Sequence, residues 1–523
     1  MEKASLARRT FLKQAGVAGG LTLLAPALTG AHPLYNLLAS AQTYVRPNVK
    51  TFSQDAAKVA TLRKGVGVMM KRPMNDPTSW MFQANVHGVP SQGSNCPPMS
   101  NSNPAWAQCE HGSYFFLSWH RMYLYFFERI LRAATGDNNF ALPYWNYSDP
   151  ADHSQRALPL IFRQPADATN PLYTASRNTA GVGMNNGARL TASAVSTTKA
   201  LQQTIFCNSV GAGSFGGQIV PGPVHYNGGF GELESTPHNV VHDQVGGSTG
   251  LMSDPDCAAR DPIFWFHHAN IDRLWDIWLS QGGGRQDAVN DKTWRSQKFT
   301  FYDEKKVKHT MTACDILNAQ TQLGYSYEGE PPQVTQKCPP LPTVVGFQQR
   351  PEKLIARTAQ PSVELGAEPT TVQVALPPEN RNLLQSVLAS PQRPEHVFLH
   401  VEGLEVEKHP GVIYEVYVNL PPGTTDPDPE SPYHVGNLSF FGFKRSNART
   451  HGRMAAAAPP RQSFDITDVV RRGRNGTPDL SNVSVTFVPR GTDQPEGVTA
   501  SAAPQRLQLA ERPRFSKLSI TVQ

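Results

Sequence analysis

The segment from Glu232 to Trp278 restricts what this chain can fold into more than any other. It reads ELESTPHNVVHDQ, a loop, then RDPIFWFHHANIDRLWDIW. His238 and His242 stand four apart just after Thr236-Pro237, an N-cap and N1 pair for a helix start, so both imidazoles leave one helical face. Asp261-Pro262 then breaks the chain and opens an apolar run in which Phe264, His268, Ile271 and Trp275 recur at helical spacing. A third imidazole thus reaches the pair from a neighbouring helix. Either segment alone reads as a solvated or packed histidine face; the two together read as a metal site. Asn239 follows His238 where a HExxH zinc peptidase carries its glutamate, which disfavours that class.

A second trio lies upstream, in CEHGSYFFLSWHRMYLYFFERILR from Cys109 to Arg132. His111 and His120 are nine apart and would face opposite ways on one helix, so His111 belongs to the approach and His120 to a helix starting near Ser118. Phe and Tyr on nearly all sides of that helix imply burial in a bundle, with Glu128 and Arg121 as a structural ion pair or caps. The stretch DPTSWMFQANVHG gives a helix that ends at His87 and is capped by Gly88. Alone, His87 would be a dipole partner; with His111 and His120 it completes the trio. Imidazole ligation without carboxylates suits copper or zinc, and a dinuclear hydrolase would show bridging carboxylates.

With 523 residues, 39% of them hydrophobic, the chain can bury a large core, and we expect two domains. A net charge of +6 with no lysine-rich tract argues against nucleic acid as a partner. Ala7-Arg8-Arg9-Thr10-Phe11-Leu12-Lys13, followed by AGVAGGLTLLAPAL, reads as a twin-arginine export signal over residues 1–41, cut after Ala39-Ser40-Ala41 or, as a weaker option, near Ala31. No other segment is long and apolar enough for a permanent membrane anchor, so a periplasmic or secreted protein is expected. An amphipathic helix is predicted over 53–72, long loops over 149–230 and a Pro/Gln/Thr-rich linker over 339–377. Beyond it, HVFLHVEGL, VIYEVYVNL, LSFFGF, SVTFVPR and KLSITVQ alternate at period two as short strands. The predicted architecture is a mainly α catalytic domain over 42–338, a helical bundle around a dimetal site, followed by a C-terminal β-sandwich over 378–523.

HGSYFFLSWHRMYLYFFE and DPIFWFHHANID resemble the two copper signatures of the type-3 copper family of tyrosinases, catechol oxidases and polyphenol oxidases, with molluscan haemocyanins as relatives. Leu142-Pro143-Tyr144-Trp145-Asn146, FTFYDE from Phe299 to Glu304, Tyr325-Ser326-Tyr327 and Arg46-Pro47 extend the resemblance over roughly residues 44–330. The resemblance implies two copper ions, one held by His87, His111 and His120 and one by His238, His242 and His268, with His267 packing beside them. Cys109, two before His111, resembles the cysteine that forms a thioether with imidazole; the alternative is a disulfide, for example with Cys96. The pairing of the remaining Cys207, Cys257, Cys314 and Cys338 stays open.

Glu234 and Asn239 resemble the pair that holds a water able to take the phenol proton, which would make Glu234 a general base; otherwise Glu234 caps the helix and Asn239 is exposed. By the same comparison Asp243 lies near the substrate entrance. Pro255 stands thirteen before His268, where plant enzymes place a phenylalanine over the first copper, which implies a more open pocket. The C-terminal domain of longer relatives covers the site and inserts a side chain. Phe440, Phe441 or Phe443 is the candidate plug, the alternative being ordinary sandwich core. The implied activity is hydroxylation of monophenols and oxidation of o-diphenols to o-quinones with O2. A catechol oxidase or o-aminophenol oxidase without the hydroxylation step, or a haemocyanin-like O2 carrier, are the rivals. The implied partners are small phenols, O2, a copper chaperone and the twin-arginine export machinery.

Overall fold

The computed structural model describes residues 43–523 apart from 102, 227, 341–350, 359–361, 390–394, 425, 444–460, 474–480 and 499–506, so the expected export signal lies outside the described residues. Helix α1, Ala56–Lys71, starts at Asp55, whose carboxylate accepts the Ala57 and Lys58 N–H groups, and buries Val59, Leu62, Val66 and Met69. Helix α2, Trp80–His87, starts at Ser79 and ends at Gly88 as expected. Gly88 is extended instead of left-handed; a Cβ there would lie 2.5 Å from the Asp256 backbone, so close approach is what requires glycine. Helix α3, Phe116–Thr135, is buried on nearly all sides and ends at the left-handed Gly136. Helices α4, Val240–Gly246, and α5, Ile263–Ser280, follow, and among the described residues the long connection between α3 and α4 carries only helical segments of six residues or fewer and a pair of two-residue strands.

Strand β1, Tyr44–Arg46, pairs in parallel with β2, Tyr325–Tyr327, which closes the helical part on itself. Arg46 is fully buried there. It donates to Glu128 at 2.6 Å, to Asp272 at 3.2 Å and to the Tyr327 hydroxyl at 2.7 Å, and its guanidinium lies 3.6 Å over the Tyr325 ring. Glu128 and Arg121 therefore do not pair with each other. Glu128 takes Arg46 and Arg132, and Arg121 takes Asp272 and Asp276.

The C-terminal part is a sandwich of two four-stranded antiparallel sheets. Its strands are β3 Lys353–Arg357, β4 Thr370–Ala375, β5 Val397–Glu402, β6 Ile413–Val418, β7 His434–Leu438, β8 Arg461–Asp465, β9 Asn482–Arg490 and β10 Lys517–Val522. The sheet orders are β8-β5-β10-β3 and β7-β6-β9-β4, and Val374, Leu399, Val401, Val416, Phe487 and Ile520 fill the space between them. Two expectations are corrected. The segment 339–377 is not all linker: Lys353 onwards is sandwich, because the alternation in TTVQVA buries Val372 and Val374 despite its polar composition. The stretch LSFFGF is not a strand: β7 ends at Leu438, and Ser439–Phe443 turns away from the sheet.

Disulfides join Cys96 to Cys257 and Cys314 to Cys338, leaving Cys109 and Cys207 as buried thiols. Among the described residues no helix is long and apolar enough to cross a membrane. Arg46→Met is expected to cost about 3–5 kcal/mol by taking from each of the buried carboxylates Glu128 and Asp272 one of its two arginines, read as a lower thermal midpoint than that of the native chain.

Candidate metal centre

Six of the seven clustered histidines reach the centre of the helical part from different elements. His87 closes α2, His111 precedes α3, His120 lies one turn into it, His238 stands just before α4, His242 is within α4 and His268 within α5. One ring nitrogen each of His87, His111 and His120 lies within 4.8 Å of the others, and the same holds for His238, His242, His267 and His268. Every one of these side chains is buried. The two groups face each other: the His120 and His268 rings stack at 4.4 Å, and those of His111 and His238 are 5.8 Å apart.

The outer ring nitrogens are anchored. Nδ1 of His87 donates to the Pro255 carbonyl at 2.8 Å, that of His120 to Phe116 at 2.8 Å, that of His242 to Met252 at 2.7 Å and that of His238 to the Asn239 side-chain oxygen at 2.8 Å. Each such bond puts the proton on Nδ1 and leaves a lone pair on Nε2. The Nε2 atoms of His87, His111, His120 and His238 have no partner, and those of His242 and His268 face each other at 3.4 Å. Burial pushes the imidazoles well below their ordinary pKa, His87 to about 3, so they stay neutral at physiological pH. Neutral, desolvated, converging nitrogens with no carboxylate among them fit copper. His267 also faces the second group; its Nδ1 is 3.0 Å from the Tyr147 hydroxyl.

Phe116 and Phe264 wall the space, 4.6 Å from His238 and 4.2 Å from His268. Phe441 forms the third wall and comes from the C-terminal part, stacked on His242 at 4.1 Å. Of the three candidate plugs only Phe441 packs with the catalytic core; Phe440 and Phe443 are sandwich core. The turn that carries it is tied down by the Phe440 N–H donating to Asp243 at 2.9 Å and by the Tyr226 hydroxyl donating to the Phe441 carbonyl. Gly442 has φ +79°, and a Cβ there would lie 2.0 Å from the Tyr226 ring.

Glu234 is fully buried, and both its oxygens accept the Gly112 N–H, at 2.9 and 3.0 Å, so it does not cap its own helix. Burial holds its carboxyl well above the usual range. Asn239 is buried too, and its Nδ2 has no partner. Asp243, expected near the entrance, lies under the C-terminal part, bonded to His409 at 2.8 Å as well as to Phe440. Pro255 is buried behind His87. Cys109 Sγ lies 3.3 Å from Nδ1 of His111. Sequence reasoning missed Tyr226, His225 and His409, because their partners are distant in the chain and no local pattern marks them.

Residues 77–281 match the common central domain of tyrosinase, 288–339 the polyphenol oxidase middle domain and 352–499 a domain of unknown function. The chain is 29% identical over 472 residues to a tyrosinase of Hahella sp. (strain CCB-MM4), covering 85% of this chain and 95% of that one. It is 30% identical over 455 residues to the chloroplastic polyphenol oxidase A1 of Vicia faba, covering 82% and 72%. In fold it is similar to latent apple tyrosinase, with a TM-score of 0.58 and 24% identity over 93% of this chain and 98% of that one. The chain belongs to the tyrosinase and polyphenol oxidase family, the type-3 copper proteins whose members act on phenols with O2.

Titrating metal-free protein with copper is expected to end at two ions per chain, and His87→Ala or His242→Ala at one. At a thousandfold excess over Kd, filling one site adds about 4 kcal/mol to stability, read as a rise in thermal midpoint that a chelator reverses.

Proposed function

We propose that this chain is a tyrosinase, hydroxylating monophenols and oxidising the resulting o-diphenols to o-quinones, with His87, His111 and His120 holding one copper and His238, His242 and His268 the other. The slot over His242 carries the phenol-oxidising part of this reading, and the buried pair Glu234 and Asn239 supports the hydroxylation step. An aromatic ring of the chain's own, Phe441, already fills the slot, so the site accepts a flat aromatic group against a metal-binding imidazole. A phenol taking the place of Phe441 would lie between Phe116, Phe264 and the two histidine groups, shielded from water. The copper pair, when bound, supplies the site of dioxygen activation and takes up the substrate's electrons.

The chain's own residues handle position and protons. Asn239, fixed through its oxygen to His238, keeps Nδ2 for a water or the substrate hydroxyl. Glu234, in the same six-residue segment before α4, supplies the carboxylate that takes the phenol proton. The twin-arginine segment supports export of protein that is already folded and loaded. A catechol oxidase is the second reading, favoured by the Gly112 N–H that Glu234 already accepts and by burial that raises its carboxyl pKa and disfavours the charged form. Glu234→Gln is expected to lower oxygen uptake with a monophenol by about a hundredfold or more while sparing the catechol. Uptake by linker-cut protein with a catechol but with no monophenol would leave the catechol oxidase, and a reversible oxygen complex of the cut protein without turnover would leave the carrier.

Phe441 makes the full chain latent. Cutting between Cys338 and Lys353 spares both the Cys314–Cys338 disulfide and the first sandwich strand. We expect such a cut, followed by separation of the parts, to raise turnover, and Gly442→Ala to raise it in the uncut chain by driving the turn off Tyr226. For a shield open about 1% of the time the gain reaches about a hundredfold; equal turnover before and after both changes removes the proposal.

A further inference from the structure

The thiol of Cys109 has two imidazoles beside it. Sγ lies 3.3 Å from Nδ1 of His111 and 3.3 Å from Nδ1 of His225. His225 comes from the long connection between α3 and α4 and belongs to neither metal-binding group. Its position is set twice over. Glu110, the residue after Cys109, accepts the Val224 N–H at 2.7 Å, and Nδ1 of His225 lies 3.0 Å from the Cys109 carbonyl oxygen, to which it can only donate. The same N–H is therefore shared between the carbonyl and the sulfur of one residue. On the far side of the ring, Nε2 is 4.0 Å from Asp256, in the segment that also anchors His87 through Pro255.

We propose that His225 is a positioning residue for covalent maturation of the site: it holds the Cys109 sulfur against the His111 ring so that a thioether forms there. This rests on the copper-oxidase reading above. The only C–H carbon of an imidazole next to Nδ1 is the one between the two nitrogens, so that carbon of His111 is the one within reach. The S–H and C–H bonds break and an S–C bond forms. The two electrons and two protons pass to dioxygen, the family's own oxidant, which leaves as hydrogen peroxide. His225 offers an equally close ring, but its nitrogens stand outside the metal-binding groups, where no oxidant is held. Its part is to hold the sulfur, which otherwise has a freely turning Cα–Cβ bond. A His111 ring fixed by the link keeps its Nε2 aimed at the metal through later loss and reloading.

The test uses full-length protein prepared without copper, then given copper and air, and followed by intact mass, peptide mapping and thiol counting in denaturant without reductant. Native protein should lose two hydrogens and fall from two reactive thiols, Cys109 and Cys207, to one, with the link mapped to His111. His225→Phe, which keeps the ring and removes the donor, should bind the same copper but form the link about tenfold more slowly, the effect of one lost hydrogen bond. His225→Asn, whose amide reaches the place of Nδ1, should recover most of the rate. An unchanged rate in His225→Phe, or a link mapped to His225, overturns the positioning role while leaving the oxidase intact. If the native chain keeps both thiols after turnover with a catechol, there is no thioether and the inference falls with the oxidase reading standing.

Discussion

The structure depends on where the protons of its buried histidines sit. An imidazole can offer a metal only the nitrogen that carries no proton, and in a dry interior nothing but a neighbouring acceptor decides which one that is. Three backbone carbonyls and one amide oxygen make the choice here, and each comes from a segment that must itself be held in register: Phe116 from the first turn of α3, Met252 and Pro255 from the loop between α4 and α5, and Asn239 from the step into α4. The irregular loop before α5 is thus as much a part of the centre as the helices are. The same requirement accounts for Gly88, since the chain leaving His87 runs directly against the loop that anchors it.

Beside this centre the strongest buried charges are paired with one another. Arg46, Arg121 and Arg132 neutralise Glu128, Asp272 and Asp276 between α3, α5 and the β1–β2 pair. The cost of burying them is recovered only because every partner is present, so the network fixes how the two long helices cross and with that the separation of His120 from His268. At the opposite face the carboxylate of Asp243 is satisfied by His409 and the Phe440 N–H, both from the sandwich. When the sandwich leaves, Asp243 must find water or substrate in their place. One acidic group therefore links the seating of the C-terminal part to the electrostatics of the open pocket.

What could be read from the residues alone follows the distance between partners. His238 and His242, and the helices bearing His87, His120 and His268, announce themselves through spacings of a turn or less, His111 only through its nine-residue separation from His120, and the structure brings all six together. Phe441 was one of three equivalent phenylalanines in LSFFGF, because period-two alternation continues through a stretch that is no longer strand; what ends β7 is Asp243, about two hundred residues away in sequence, taking the Phe440 N–H out of the sheet. The strands Lys353–Arg357 and Thr370–Ala375 were hidden for a related reason: their composition is that of a linker, and only pairing with β10 and β9 buries their apolar side. His225 carried no signal, since a histidine between valine and tyrosine in a loop has no period to follow.

The placement of a proton also decides how one fold serves either of two reactions. The six imidazoles, the phenylalanine walls and the aromatic slot are common to hydroxylating a phenol and to oxidising a catechol, because both need a ring held flat beside the metal. They differ in the oxygen atom that hydroxylation adds to the ring, and in the first deprotonation: a monophenol must lose its one hydroxyl proton before it can act as a ligand, while a catechol offers two hydroxyls. Under the role proposed for Glu234, the difference rests on whether its carboxylate is free to accept. In this structure its two oxygens share one N–H, that of Gly112, the residue after His111. A single donor divided between both oxygens leaves most of the lone pairs unused. Glu234 is held in place without being saturated, and any water admitted beside Asn239 Nδ2 when Phe441 withdraws would complete the path from substrate to carboxylate.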